Sequence, residues 1–191
     1  MGRHQLRGSV EVRPPRGIIG AVPGDAAIRK ATEADAAAIA AIYNEGIADR
    51  VATFETRPRS AEEIGDWFAE GLPFLVATAD EAAVVGFARV SPYSDRCVYR
   101  GVGEHGVYVA RAARGQALGR RLLEALAAEC EAAGIYKLTS RVFSDNAASR
   151  AAHLAAGFEE VGTQRRHGKL DGEWKDCVLV ERLLGDAATR R

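Results

Sequence analysis

The sequence has little cysteine, no charge imbalance and no long apolar run, and each shortage removes a class of protein. Cys97, Cys130 and Cys177 are scattered and odd in number, so they offer neither a disulfide framework nor metal-ligand spacing. They read as reduced, packing thiols of a cytoplasmic protein, with no metal expected. Lys and Arg total 26 and Asp and Glu total 26, so no field of one sign marks nucleic acid or an acidic membrane as a partner. Charges interrupt every apolar stretch within a few residues, too soon for a bilayer span or a signal-peptide core. Alanine is abundant, but inside periodic segments, and therefore reads as helix content.

What is present suits one domain with a substantial core, placed at 26–185 of the 191 residues. Residues 1–25 hold Arg3, Arg7, Arg13, Arg16 and the pair Pro14 and Pro15 with few apolar residues, and are expected to form a flexible tail. A short second tail is expected at 186–191.

A strand is predicted at 27–30, followed by a capping box from Thr32 and Asp35. Ile39, Ile42, Tyr43 and Ile47 then recur at helical spacing, giving a helix to about Gly46. Ser60 and Glu63 make a second capping box before Ile64, Trp67 and Phe68. Strands follow at 73–79 and 83–90, joined by an acidic turn at Asp80 and Glu81. Further strands are predicted at 104–109, 137–143, 158–164 and 175–183. One long helix ends near Gly134, and a shorter one runs from about Ala147 to Gly157. The order β-α-α-β-β-β-α-β-α-β-β describes an α/β domain with a mixed twisted sheet flanked by helices.

One stretch stands out, VYVARAARGQALGRRLL at 107–123. It reads as strand, loop and helix, with Gly115 and Gly119 leaving the backbone open. Unpaired amides at a helix start favour an anion such as a pyrophosphate, and Arg114, Arg120 and Arg121 add charge. By itself the pattern is equally that of a basic helix start.

Five segments together resemble the GCN5-related N-acetyltransferase (GNAT) superfamily, in its phosphinothricin and arsinothricin type amino-acid N-acetyltransferase branch. They are IYNEGI at 42–47 with ATFET at 52–56, GVGEHGVYV at 101–109, RGQALG at 114–119, NAASRAAHLAAGF at 146–158 and GEWKD at 172–176. The resemblance implies the acyl-CoA N-acyltransferase fold, acetyl-CoA as co-substrate, and acetylation of the α-amine of a small amino-acid analogue. It also implies a homodimer, as is common in the branch. Acetylation of a protein N-terminus or polyamine, and CoA binding without turnover, are the competing readings.

Specific residues follow from the resemblance. Val107 and Val109 would pair their backbones with the pantetheine arm. Arg114, Gly115, Gln116, Ala117, Leu118, Gly119 and Arg120 would form the pyrophosphate loop. Ala117 stands where the pattern has glycine, a departure that is harmless if its φ is negative, since only glycine is relaxed at positive φ. Asn146 would touch the same arm, or simply cap its helix.

Thioester aminolysis needs a base for the ammonium and is helped by an acid for the thiolate. Glu104 matches the family's general base, and His153 a branch histidine that assists; without the motif His153 reads as a packing residue. His105, next to Glu104, is expected on the opposite face of a regular strand and outside the site. Phe54, Arg89, Tyr93, Arg96 and Tyr99 are the implied substrate-binding residues, with Arg89 and Arg96 as an anion clamp or as solvated surface arginines.

Overall fold

The structure is a computed structural model describing residues 26–79 and 83–189. The proposed tail at 1–25 and the acidic turn at Asp80 and Glu81 lie outside the described residues. The strands are β1 (Ala27–Lys30), β2 (Phe74–Ala79), β3 (Ala83–Pro92), β4 (Val102–Val109), β5 (Lys137–Phe143), β6 (Glu159–Leu170) and β7 (Glu173–Leu183). They form a sheet ordered β1-β2-β3-β4-β5-β7-β6, antiparallel throughout except for β4 and β5, which run parallel. The helices are α1 (Ala36–Asp49), α2 (Ala61–Gly65), α3 (Leu118–Ala132), α4 (Ala147–Ala155) and the single turn α5 (Asp186–Thr189), where a tail was expected. The element order agrees with the predicted one.

Helices cover both faces of the sheet, which explains why β2 is buried at every position. On one face Ile39, Ile42, Tyr43 and Ile47 of α1 and Ile64 of α2 meet Phe74, Val76 and Phe87. On the other, Leu118, Leu122, Leu123 and Leu126 of α3 meet Leu75, Ala77, Ala88, Val90 and Leu138. Both capping boxes form. Asp35 accepts from the Thr32 amide and from Arg29, whose paired guanidinium holds its carboxyl down at about 2. Ser60 and Glu63 exchange hydrogen bonds at the start of α2.

Several boundaries differ from expectation. Helix α1 passes through Gly46 and ends at Asp49, before left-handed Arg50. Gly46 is a place of close approach: a Cβ there would lie 3.1 Å from the Tyr108 ring on β4. Helix α2 is only five residues long and tightens into a 3₁₀ turn over Asp66–Glu70. Strand β6 continues beyond Gln164 to Leu170 through a bulge in which Arg166 takes φ 53°, its amide donating to Asp176. Cys130 and Cys177 are buried as expected, but Cys97 is exposed and packs nothing away from water.

The feature that positions the site is a fork between β4 and β5. Their pairing is limited to Val102 with Lys137, Gly103 with Leu138 and Glu104 with Thr139. Beyond Glu104 the two strands part, while β4 stays paired with β3 and β5 with β7. The Ala110 amide donates to the Val85 carbonyl, so antiparallel alternation turns the backbone groups of Val109, Val107 and His105 away from β3 and toward the gap.

Candidate active site

The fork opens a cleft of about 700 Å³ that cuts through the sheet. One side is His105 to Val109 of β4, the other Ser140 to Phe143 of β5, and α4 and the 113–120 loop close it on the α3 face. Ile42 and Gly46 of α1, with Val51 and Ala52 of the following loop, reach it from the opposite face.

The expected phosphate loop lies at one end. Arg114, Gly115, Ala117, Leu118, Gly119 and Arg120 all line the cleft, whereas Gln116 lies in the exposed part of the loop. Gly115 has φ 79°, and Ala117, the N-cap of α3, has φ 57°. The condition of negative φ at Ala117 is therefore not met, and alanine adopts a conformation costing on the order of 1 kcal/mol relative to glycine. The Ala117 carbonyl still accepts the first helical hydrogen bond, from Arg121. Arg114 donates from Nε to the Val109 carbonyl and from Nη1 to Asp49, which also receives Arg111; the two guanidiniums hold the Asp49 carboxyl below its usual range. Asp49 carried no sequence signal, because its partners are far away in the chain. Val107 and Val109 face the cleft as described, and Asn146 lines it. Asn146 Oδ1 caps α4 through the Ser149 amide, and Nδ2 donates to the Val51 carbonyl, so the side chain bridges helix and loop across the cleft mouth.

Glu104 stands where the strands separate. Its Oε1 accepts from Nη1 of Arg141 at 2.7 Å, and Arg141, which lines the cleft, also donates from Nε to Gln164. Arg141 had no motif to mark it. His153 lines the cleft from α4 and is 2% exposed. Its Nδ1 lies 2.7 Å from the Ser149 carbonyl and its Nε2 lies 3.0 Å from Nε2 of His105. Burial lowers the pKa of both rings, that of His105 to about 3 with the neighbouring His153 as the second cause. Both imidazoles are therefore neutral near pH 7.

His105 does point to the opposite face from Glu104, but the conclusion drawn from that fails. A cleft between strands is open to both faces, so residues of either parity reach it, and His105 lines it beside His153.

The implied substrate-binding residues do not come together at the cleft. Phe54 packs edge-on against Phe143, a wall residue, with ring centroids 4.8 Å apart. Arg89 lies over Trp67 and pairs with Glu70 on the α1 and α2 face, away from the cleft lining. Tyr93, Arg96 and Tyr99 surround a separate hollow of about 350 Å³ that shares no lining residue with the cleft.

Comparison with known proteins agrees with this architecture. Residues 39–158 match the model of the acetyltransferase (GNAT) family. The chain is 34% identical over 160 residues to an L-methionine sulfoximine/L-methionine sulfone acetyltransferase of Pseudomonas aeruginosa, covering 82% of this chain and 93% of that one. A phosphinothricin acetyltransferase from Sinorhizobium meliloti, solved in complex with AcCoA, superposes with a TM-score of 0.81 at 33% identity, over 87% of this chain and 92% of that one. A ribosomal-protein-alanine N-acetyltransferase from Brucella melitensis superposes with a TM-score of 0.78 at 36% identity, over 83% and 99%. With its forked sheet, its loop at the start of α3 and these matches over most of its length, the chain belongs to the GNAT family and is an N-acetyltransferase.

Proposed function

We propose that the protein transfers the acetyl group of acetyl-CoA directly to the α-amine of a small amino-acid analogue of the phosphinothricin, arsinothricin or methionine sulfoximine type. The observation that carries this reading is the fork itself. Its β4 edge turns backbone groups toward the gap for an amide-containing arm, with the Val109 carbonyl held by Arg114, its loop presents helix-start amides and arginines for a pyrophosphate, and a carboxylate stands where the strands meet.

In this reading Val107 and Val109 hold the pantetheine arm, and the 114–120 loop the phosphates. Glu104 takes a proton from the incoming ammonium, directly or through water, and the freed amine attacks the thioester carbonyl. The C–N bond forms, the C–S bond breaks, and the second proton leaves the nitrogen for the thiolate. Arg141 receives the substrate carboxylate, an exchange that releases Glu104 from its ion pair as the amine arrives. Cations at the cleft suit an anionic amino acid better than a polyamine.

A second reading, acetylation of a peptide N-terminus, is favoured by the likeness to the ribosomal-protein-alanine enzyme. A thiol-release assay with acetyl-CoA separates the two. Turnover is expected with phosphinothricin or methionine sulfoximine and not with an alanine-first peptide or spermidine. Intact CoA binding without turnover of any small amino acid would overturn the proposal.

A further inference from the structure

We infer that His105 is a positioning residue, donating its Nε2–H to Nε2 of His153 and so fixing His153 in the tautomer that carries its single proton on Nδ1. The inference rests on the cleft being the acetyl-transfer site, and goes beyond that reading in assigning a residue and a protonation pattern to it.

The assignment follows from counting donors. The Ser149 carbonyl only accepts, so Nδ1 of His153, 2.7 Å away, carries a hydrogen. A neutral imidazole has one N–H, which leaves a lone pair on Nε2. Across 3.0 Å that lone pair meets Nε2 of His105, which must supply the hydrogen. His105 is then left with a bare Nδ1, and this atom is buried with no hydrogen-bond partner among the described residues. The reverse arrangement would place a lone pair opposite a lone pair or require a second charge.

The surroundings keep the pair neutral. Phe158 packs against both rings, with centroids 4.7 Å from His105 and 5.2 Å from His153. The Thr139 main chain on β5, which favours a proton on His105, and Ser149 on α4, whose hydroxyl lies 3.4 Å from Nδ1 of His153, complete the contacts, and burial outweighs them. The bond also ties the helical wall of the cleft to the strand along which the co-substrate would lie. Because both protons lost by the amine are accounted for by Glu104 and the thiolate, acetyl transfer consumes no histidine proton. His153 keeps both ring nitrogens engaged, Nδ1 with the Ser149 carbonyl and Nε2 with His105, and His105 holds it in that form.

Long-range ¹H–¹⁵N correlation of the full chain, ¹⁵N-labelled at histidine, tests this directly at pH 7. His153 is expected as the Nδ1–H tautomer and His105 as Nε2–H. In His105→Phe the His153 signals should report a mixture of tautomers, with kcat about tenfold lower and the KM for acetyl-CoA within about twofold of wild type. His105→Gln, which keeps an N–H donor, should recover the tautomer and most of kcat. A wild-type His153 protonated on Nε2, or a His105→Phe enzyme with unchanged tautomer and kcat, overturns the inference. Should His105→Phe fail to fold, the wild-type spectrum and His105→Gln still decide. The spectrum needs no substrate, so a wrong tautomer is distinguishable from failure of the proposed amino-acid acetylation in the thiol-release assay.

Discussion

Glu104 and Arg141 form an ion pair on the two strands that part around the cleft, with Oε1 2.7 Å from Nη1. The carboxylate is thereby held beside the gap into which an ammonium would come. Glu104→Gln keeps the shape and removes the carboxylate that the proposed mechanism uses as base. Turnover should fall roughly 10²-fold or more, within the range of general acid and base groups, while the dissociation constant for CoA changes little. A collapse of CoA binding, measured by calorimetry, would instead make Glu104 structural.

The role proposed for Arg141 can be tested separately. Arg141→Met should raise the KM for the amino acid by about tenfold or more, as expected for a lost hydrogen bond to a charged group, and leave the KM for acetyl-CoA nearly unchanged. An amino-acid ester or amide, which lacks the carboxylate, should be insensitive to the substitution. Equal losses with acid and amide would assign Arg141 to support of Glu104 alone.

The neutral histidine pair predicts sensitivity to mild acid. In the unfolded chain histidine takes up a proton near pH 6.5, whereas the buried rings resist it, His105 down to about 3. Between these values the unfolded state binds more protons, so stability falls as pH falls, by on the order of 1 kcal/mol per pH unit for each ring that stays neutral. Asp35, held at about 2, contributes only at lower pH. The urea midpoint should therefore decline steadily from pH 6.5 to 4.5; a flat midpoint over that range would contradict neutral burial.

Ala117 holds a left-handed conformation at φ 57° that glycine adopts without strain. Ala117→Gly is expected to raise stability by up to about 1 kcal/mol in urea unfolding and to leave CoA affinity equal or better. Weaker CoA binding would mean that the methyl group makes a contact with the ligand.

Most of the fold was legible because its signals are local. The spacing of Ile39, Ile42, Tyr43 and Ile47, the two capping boxes and the glycine after α3 act within a few residues of themselves. Gly46 misled because its reason lies across the fold, at the ring of Tyr108. In the site, the loop from Arg114 to Arg120 was implied by the resemblance, since its glycine spacing alone is equally that of a basic helix start, and the sign of φ at Ala117 could not be read. The same applies to His105. Alternation correctly gave its face, but only the separation of β4 from β5 makes both faces part of one cleft. Arg89 and Arg96 were implied by the branch's pocket segments and by the anion they would clamp, and neither signal tells that Arg89 already pairs with Glu70. Arg141 and Asp49 are defined by contacts spanning 37 and 65 residues, which no window along the chain detects.

The position of β7 between β5 and β6 has a consequence for synthesis. Strand β5 has no neighbour on its outer edge until residues 173–183 have left the ribosome, and its inner edge is the open side of the cleft. A chain lacking them would expose β5 along most of both edges, a template for association with other chains. The gap between β4 and β5 thus makes β5 the part of the sheet most dependent on β7, and truncation before Glu173 should raise aggregation.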